Sequence, residues 1–192
     1  MLAFNQSLES GKTGETEIAQ FLLSKGHKIL PVYEIAEGQY KGPAVYSGDK
    51  TIIAPDMLVF HKDKGAVFIE AKSKTGFCQY RKKSTKDYVH WVTGIDAHHY
   101  SQYLDIKEQC KTDVYLMFLQ KGGWAKDSPA TSPSGLYCGE ISVLNSRIDH
   151  RYDGNKYGKG GMVYWHIDDL KKISDYPLPT FAPTSNAMRI AK

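Results

Sequence analysis

Thr51 to His61, TIIAPDMLVFH, and Gly65 to Lys72, GAVFIEAK, are the two runs whose pairing decides the fold. Both are apolar and rich in β-branched residues, the composition of strands covered on both sides. Lys62, Asp63 and Lys64, followed by Gly65, join them with the chemistry of a hairpin turn. A turn centred on Asp63 pairs residues whose numbers sum to 126, so Asp56 stands opposite Glu70. Strand side chains alternate, so Glu70 and Lys72 point to one face and Asp56 joins them there. A two-residue slip still brings Asp56 opposite Lys72, and only an odd register sum carries it to the other side.

Upstream, Thr13 to Lys25 reads as an amphipathic helix with Ile18, Phe21 and Leu22 on one face and Gly26 placed to end it. His27 to Glu34 reads as a strand whose Pro31 suits an edge or a bulge, and Ile35 to Lys50 as a polar loop. Downstream, Ser73 to Trp91 reads as a basic loop. Ala97 to Lys111 then reads as a helix N-capped by Asp96, and Val114 to Gln120 as a buried strand. The order to that point is helix, three strands, helix, strand, a compact α/β unit. Beyond it, residues 121–135 read as a surface loop, and Leu136 to Leu144 and Gly161 to Ile167 as strands separated by a polar stretch around His150 to Gly160. Asp168 to Ser174 reads as a short helix capped by Asp168, and the proline-bearing end as an extended arm. The expected organisation is a core over residues 1–120, a β-rich extension over 121–174 packed on it, and a tail over 175–192.

The chain has 192 residues, of which 41% are hydrophobic and 24% charged, enough to bury a core and too apolar for wholesale disorder. Its longest apolar run, Val114 to Leu119, is far short of the roughly 18 residues that span a bilayer. Met1 to Glu9 has neither a basic nor an apolar segment of a secretory signal, so a soluble cytoplasmic protein is expected. Cys78, Cys110 and Cys138 fit no metal-ligand spacing and read as reduced structural thiols. The net charge of +4 is unevenly spread: Lys72, Lys74, Arg81, Lys82, Lys83 and Lys86 fall in a window without an acid, which leaves the rest of the chain net negative. With Phe77, Tyr80, Tyr88 and Trp91 beside it, this strip can neutralise phosphates and offer rings for stacking, as nucleic-acid binding requires. A solvated lysine-rich loop has the same composition.

Glu70 and Lys72 interrupt an apolar strand, and Asp56 is a carboxylate in an equally apolar setting, costly there without a partner. Two close carboxylates repel and raise one pKa unless a cation intervenes. Oxygen donors with no His or Cys nearby in sequence favour Mg²⁺ or Mn²⁺ over zinc, and the Ala71 carbonyl could add a ligand. Glu17, at the border of the helix stripe just before Ile18, can face the sheet as a third acid. Each residue also has a structural reading: Glu17 as a helix-dipole carboxylate, Asp56 as part of a Pro-Asp turn, Glu70 and Lys72 as a surface pair.

Pro55-Asp56, thirteen residues, then Glu70-Ala71-Lys72, with Glu17 on the preceding helix, resembles the PD-(D/E)xK nuclease superfamily. The element order resembles that family's restriction-endonuclease-like αβββαβ core, a mixed central sheet flanked by helices, over residues 11 to 120. The resemblance implies a metal-dependent nuclease hydrolysing DNA phosphodiester bonds, an endonuclease or Holliday-junction-resolvase-like enzyme of prokaryotic or phage type. It implies that Asp56, Glu70 and the Ala71 carbonyl hold Mg²⁺ or Mn²⁺, that Lys72 positions or activates the attacking water, and that Glu17 binds a second metal or water. Lys74, Arg81, Lys82, Lys83 and Lys86 would then contact DNA. A helicase-linked branch of the family carries Gln-x-x-x-Tyr after the motif. Here His99-Tyr100-Ser101-Gln102-Tyr103 occupies that spacing with His in place of Gln, so His99 and Gln102 are accessory candidates. Additions such as residues 122–192 commonly set substrate shape or dimer contacts in such nucleases, and symmetric cuts on two strands require a homodimer. The competing readings are a non-catalytic nucleic-acid-binding or assembly protein with this fold, and an RNA nuclease.

Other motifs are weak. Gly11-Lys12-Thr13 resembles the end of a phosphate-binding loop but lacks the first glycine and a preceding strand. His90, His98 and His99 lack the companions of a zinc site and read as helix-surface or DNA-facing residues. No Gly-x-Ser-x-Gly elbow is present to support acyl hydrolysis.

Overall fold

The computed structural model describes residues 2–31, 44–47, 50–82, 84–123, 130–152, 154 and 160–179. In chain order the first half holds α1 (Leu2–Ser24), β1 (Lys28–Pro31), β2 (Ala44–Ser47), β3 (Lys50–Ile53), β4 (Met57–His61), β5 (Gly65–Lys74), β6 (Cys78–Arg81) and β7 (Tyr88–Asp96). The second half holds α2 (Ala97–Cys110), β8 (Val114–Gln120), β9 (Gly135–Glu140), α3 (Ile141–Asn145), β10 (His150–Tyr152), β11 (Met162–His166) and β12 (Lys171–Ser174).

The fold is mixed α/β with a central six-stranded sheet in the order β1-β4-β5-β8-β9-β12. β5 and β8 run parallel and every other neighbouring pair is antiparallel. Parallel neighbours need a crossover, and α2 lies within it. α1, β1, β4, β5, α2 and β8 thus make the expected αβββαβ order, with β2-β3 and β6-β7 inserted, while β9 and β12 extend the sheet. A second sheet, in the order β10-β11-β7-β6, joins strands from both halves of the chain. It is tied to the first by the buried Gln120 Nε2, which donates to Thr93 Oγ1 at 3.0 Å.

Each face of the central sheet has its own core. Val67, Ile69 and Ala71 of β5 pack with Met57, Val59 and Met117 against Ile18, Phe21 and Leu22 of α1. The alternate positions of β5 and β8, with Phe68, Leu116 and Phe118, meet Tyr100, Tyr103 and Ile106 of α2 and Trp165 of the second sheet. α1 approaches β5 closely at Gly14, where a Cβ would lie 2.0 Å from Ser73 Cβ, so no larger residue fits without displacement. Gly26, at φ +83°, lets the chain leave α1 in the left-handed region. Among the described residues no helix is long and apolar enough to cross a membrane.

The β4–β5 hairpin has the expected register, Met57 opposite Ile69 and His61 opposite Gly65. Several boundaries differ from expectation. Thr51–His61 is two strands, because Pro55 has no N–H for a ladder and the chain bends at Asp56. The expected loop 35–50 includes β2, paired with β3 through Val45 and Ile52, with residues 35–43 and 48–49 outside the described residues. The expected basic loop 73–91 carries β6 and most of β7: Tyr88 to Thr93 is a β-prone run, and the cations cluster at the turn between the strands. α1 begins eleven residues before the expected Thr13. Asp96 makes no side-chain cap, and α2 ends on Lys111 in the left-handed region. Leu136–Leu144 is not one strand, because Glu140 accepts from Val143 N at 3.1 Å and starts α3. Asp168–Ser174 is not a helix: His166 Nδ1 accepts from Asp168 N and closes a single 3-10 turn, after which the chain pairs with β9. His150–Gly160 contains β10. The expected strand residues 32–34, residues 124–129 of the 121–135 loop and tail residues 180–192 lie outside the described residues.

Candidate active site

At the end of the β4–β5 ladder Asp56 takes a place the backbone leaves open. Its Oδ2 accepts from Ala71 N at 2.8 Å, beyond the last Met57–Ile69 pair. Glu70, on the neighbouring position of β5, is 1% exposed. Its Oε1 is ion-paired to Lys72 Nζ, and the Tyr103 phenol of α2 hydrogen-bonds to it. Glu70 and Lys72 share the α2-facing side of β5, as period-two alternation requires. The lysine side chain is 30% exposed and the glutamate 2%, so the cation reaches the surface while the anion stays inside.

The electrostatics follow from that burial. Asp56 is pushed up from 3.8 to about 8, first by burial and then by the Glu70 charge, against opposing pulls from Lys72 and the Ala71 N–H. Burial alone would lower Lys72, but Glu70 and Asp56 outweigh it and hold the ammonium above the ordinary lysine value. Lys72 is therefore a fixed cation and a poor base. Burial and Glu70 raise the Tyr103 phenol, which stays protonated and donates. His99 is held below the ordinary histidine value, first by burial and then by Lys72, with Glu70 pulling the other way. Glu70 Oε2 and His99 Nδ1 are buried with no hydrogen-bond partner among the described residues.

Two buried carboxylates with one ammonium form a site short of positive charge. Its donors are hard oxygens, and one buried carboxylate oxygen is unpartnered, so the residues present fit a hard divalent cation held by Asp56, Glu70 and the Ala71 carbonyl. Among the described residues no group of three or more His, Cys, Asp or Glu is gathered closely enough to hold a metal alone.

Glu17 stands apart from this cluster. Its Oε1 accepts from Lys121 Nζ at 2.9 Å, on the helix that covers the other face of the sheet. The helix carboxylate that Asp56 and Lys72 feel is Glu15. Two residues apart on a helix cannot share a face, and the border of the apolar stripe points to Glu17 rather than to Glu15. Tyr103 stands in the sequence as the tyrosine of the His99-to-Tyr103 spacing, but that spacing marks only His99 and Gln102 as accessory candidates. Gln102 is used elsewhere: its Oε1 accepts from Ile53 N at 3.0 Å and ties β3 to α2.

Lys74 continues the face of Glu70 and Lys72. Burial lowers its pKa, with Lys72 acting the same way and Cys78 and Asp96 opposing. Arg81 is exposed, with its guanidinium 5.4 Å from the Tyr88 ring centre and Nε donating to the Lys86 carbonyl at 2.9 Å. Lys82 and Lys86 are exposed in the same tight turn, where Lys86 N donates to the Lys82 carbonyl, and Lys83 lies outside the described residues. Of the four rings near the strip, Phe77 is wholly buried and Trp91 packs on the core, while Tyr80 and Tyr88 lie on the other face of the second sheet. His98 is exposed on α2, and all three cysteines are free thiols.

No family model matches this chain, and no curated protein sequence matches it. Among solved structures, Hjc, a Holliday junction resolvase from the archaeal hyperthermophile Archaeoglobus fulgidus, is similar over 79% of this chain and 86% of that one, at 10% identity and a TM-score of 0.43.

Proposed function

We propose that this chain is a divalent-metal-dependent nuclease that hydrolyses DNA phosphodiester bonds, an endonuclease or a Holliday-junction-resolvase-like enzyme. The observation that carries the reading is the charge imbalance at the end of β4 and β5, where burial and Glu70 drive Asp56 up to about 8. Beside it Glu70 Oε2 is buried with no hydrogen-bond partner among the described residues, an oxygen a cation could take.

Asp56, Glu70 and the Ala71 carbonyl would hold Mg²⁺ or Mn²⁺. The chemistry such an ion supplies is water activation and neutralisation of charge on the phosphoryl oxygens. Asp56 is kept in place by the Ala71 N–H, and Glu70 is oriented by Tyr103 and Lys72. Lys72, already cationic and partly exposed, places an ammonium beside the reacting phosphate and stabilises the charge that grows there. His99 is a neutral imidazole close to Lys72, suited to orienting water or phosphate. Glu17 would reach a second metal or water only after leaving Lys121. Lys74, Arg81, Lys82, Lys83 and Lys86 would grip phosphates along the strand.

The test is cleavage of supercoiled plasmid, four-way-junction DNA and RNA with and without Mg²⁺, using wild type and Asp56→Asn. Metal-dependent DNA cleavage lost in Asp56→Asn is expected. Salt-sensitive DNA binding with no cleavage of any substrate would replace the reading with the non-catalytic one, which the absence of a third gathered ligand favours among the described residues. Cleavage of RNA alone would replace the substrate.

A further inference from the structure

Alternation sorts the second sheet into two sides. Trp91, Val163 and Trp165 turn to the core, so their neighbours on β6, β7, β10 and β11 turn away from it. That outer side is tiled with rings. Tyr80 stacks on His90 with centroids 5.2 Å apart and planes 14° from parallel, and His150 stacks on Tyr164 at 4.6 Å and 8°. Tyr80 also meets His150 at 4.9 Å and joins the two stacks. Tyr152 stands 44% exposed at the rim. An open cleft of about 230 Å³ runs over this side, between Tyr80 and Arg81 on one edge and His150, Tyr152 and Tyr164 on the other.

The charges suit an anion with flat groups. Asp149, the carboxylate among the rings, is engaged on one oxygen by His90 at 2.9 Å and on the other by His150. Arg81, Lys82 and Lys86 stand at the turn end of β6. At its other end Cys78 is a neighbour of Lys74, which lies beside Lys72. The ring face therefore has its exposed cations at the turn end of β6, where Arg81 also borders the cleft.

We propose that this outer face binds the unpaired bases of single-stranded DNA by stacking, and that Arg81 and the lysines track its phosphates. The proposal takes from the nuclease reading only the choice of DNA. Tyr80 and His90, and His150 and Tyr164, already stack on one another, so the most exposed ring open to a base is Tyr152 beside the cleft; duplex DNA covers its base faces with one another and has none to offer there. In single strands every base has a free π-face.

The experiment measures fluorescence anisotropy of the full chain, without divalent metal, on a labelled oligothymidylate and on a duplex of equal length. Tyr80→Ala and Tyr152→Ala are compared with Tyr80→Phe, which keeps the ring and controls for folding alongside the melting curve. The wild type is expected to favour the single strand. Each alanine should weaken that binding about tenfold, leave duplex binding within about twofold and add in the double variant, while Tyr80→Phe binds like wild type. Equal losses on both DNAs, no loss, or a preference for duplex would overturn the proposal, as would tighter binding of an uncharged oligosaccharide. Cleavage is scored separately with Mg²⁺. Ring-dependent single-strand binding without any cleavage rejects the nuclease reading and keeps the platform; metal-dependent cleavage with ring-independent binding does the reverse.

Discussion

On β5 the side chains of Val67, Ile69 and Ala71 and those of Glu70, Lys72 and Lys74 are separated by one peptide bond at a time and serve different purposes. The first three are sealed under α1 in an apolar layer. The second three form a graded polar row, from the buried Glu70 to the partly exposed Lys72 and Lys74, facing α2 and the second sheet. One strand therefore carries stability on one side and charge chemistry on the other. A sheet face that already excludes water is what makes the charges effective: the same carboxylates in solvent would repel weakly and attract a cation weakly.

The two sides should break differently. Lys72→Ala is expected to lower DNA cleavage per folded molecule by about a thousandfold or more, as loss of a fixed transition-state charge does, while DNA binding changes little; the buried Glu70 carboxylate left without its ammonium also lowers the melting temperature. Cleavage kinetics beside a binding isotherm on the same preparation check this, and retained cleavage would remove Lys72 from the site. Ile69→Ala on the other side should cost about 2–5 kcal/mol of stability and leave activity per folded molecule unchanged. Denaturant melts with active-site-normalised rates separate the two.

A subtler contrast is the response to pH. Asp56 is raised in the folded chain to about 8 from 3.8, so its protonated form stabilises the metal-free fold fully below about pH 4, and that contribution is lost as pH rises through about 8. The melting temperature without metal should fall across that window. Asp56→Asn, which keeps an oxygen for the Ala71 N–H, should flatten the fall. Mg²⁺ should raise the melting temperature most at the alkaline end, where no proton competes for the carboxylate. A wild-type profile unchanged by Asp56→Asn would show that another group titrates.

Much of this site was legible because it rests on period two and a short turn. The spacing of Asp56, Asp63 and Glu70 set the hairpin register, and the register set the face. The second sheet was not legible for the opposite reason. β6 and β7 lie where the cations are densest, so charge hid the alternation of Tyr88 to Thr93, and β11 joins β7 across a long sequence separation that no local pattern encodes, with β10 on its other edge. Glu140 and His166 show the same limit at smaller scale. Each redirects the chain through one side-chain acceptor, ending a strand in α3 or turning an apparent helix start into a 3-10 turn.

The smallest effect separates the two acids of α1. Glu17 is held by Lys121 in a pair that both partners share with solvent, a contact of about 0–1 kcal/mol. Glu15 is the carboxylate whose charge reaches Asp56 and Lys72. Removing it by Glu15→Gln should relieve repulsion on Asp56, lower its apparent pKa and move the acid limb of the cleavage profile, which rises as Asp56 ionises, to lower pH. Glu17→Gln should leave that limb in place. A shift produced by Glu17→Gln and absent in Glu15→Gln would mean that Glu17 leaves Lys121 and joins the metal side during turnover, which returns the helix role to the residue marked by the apolar stripe.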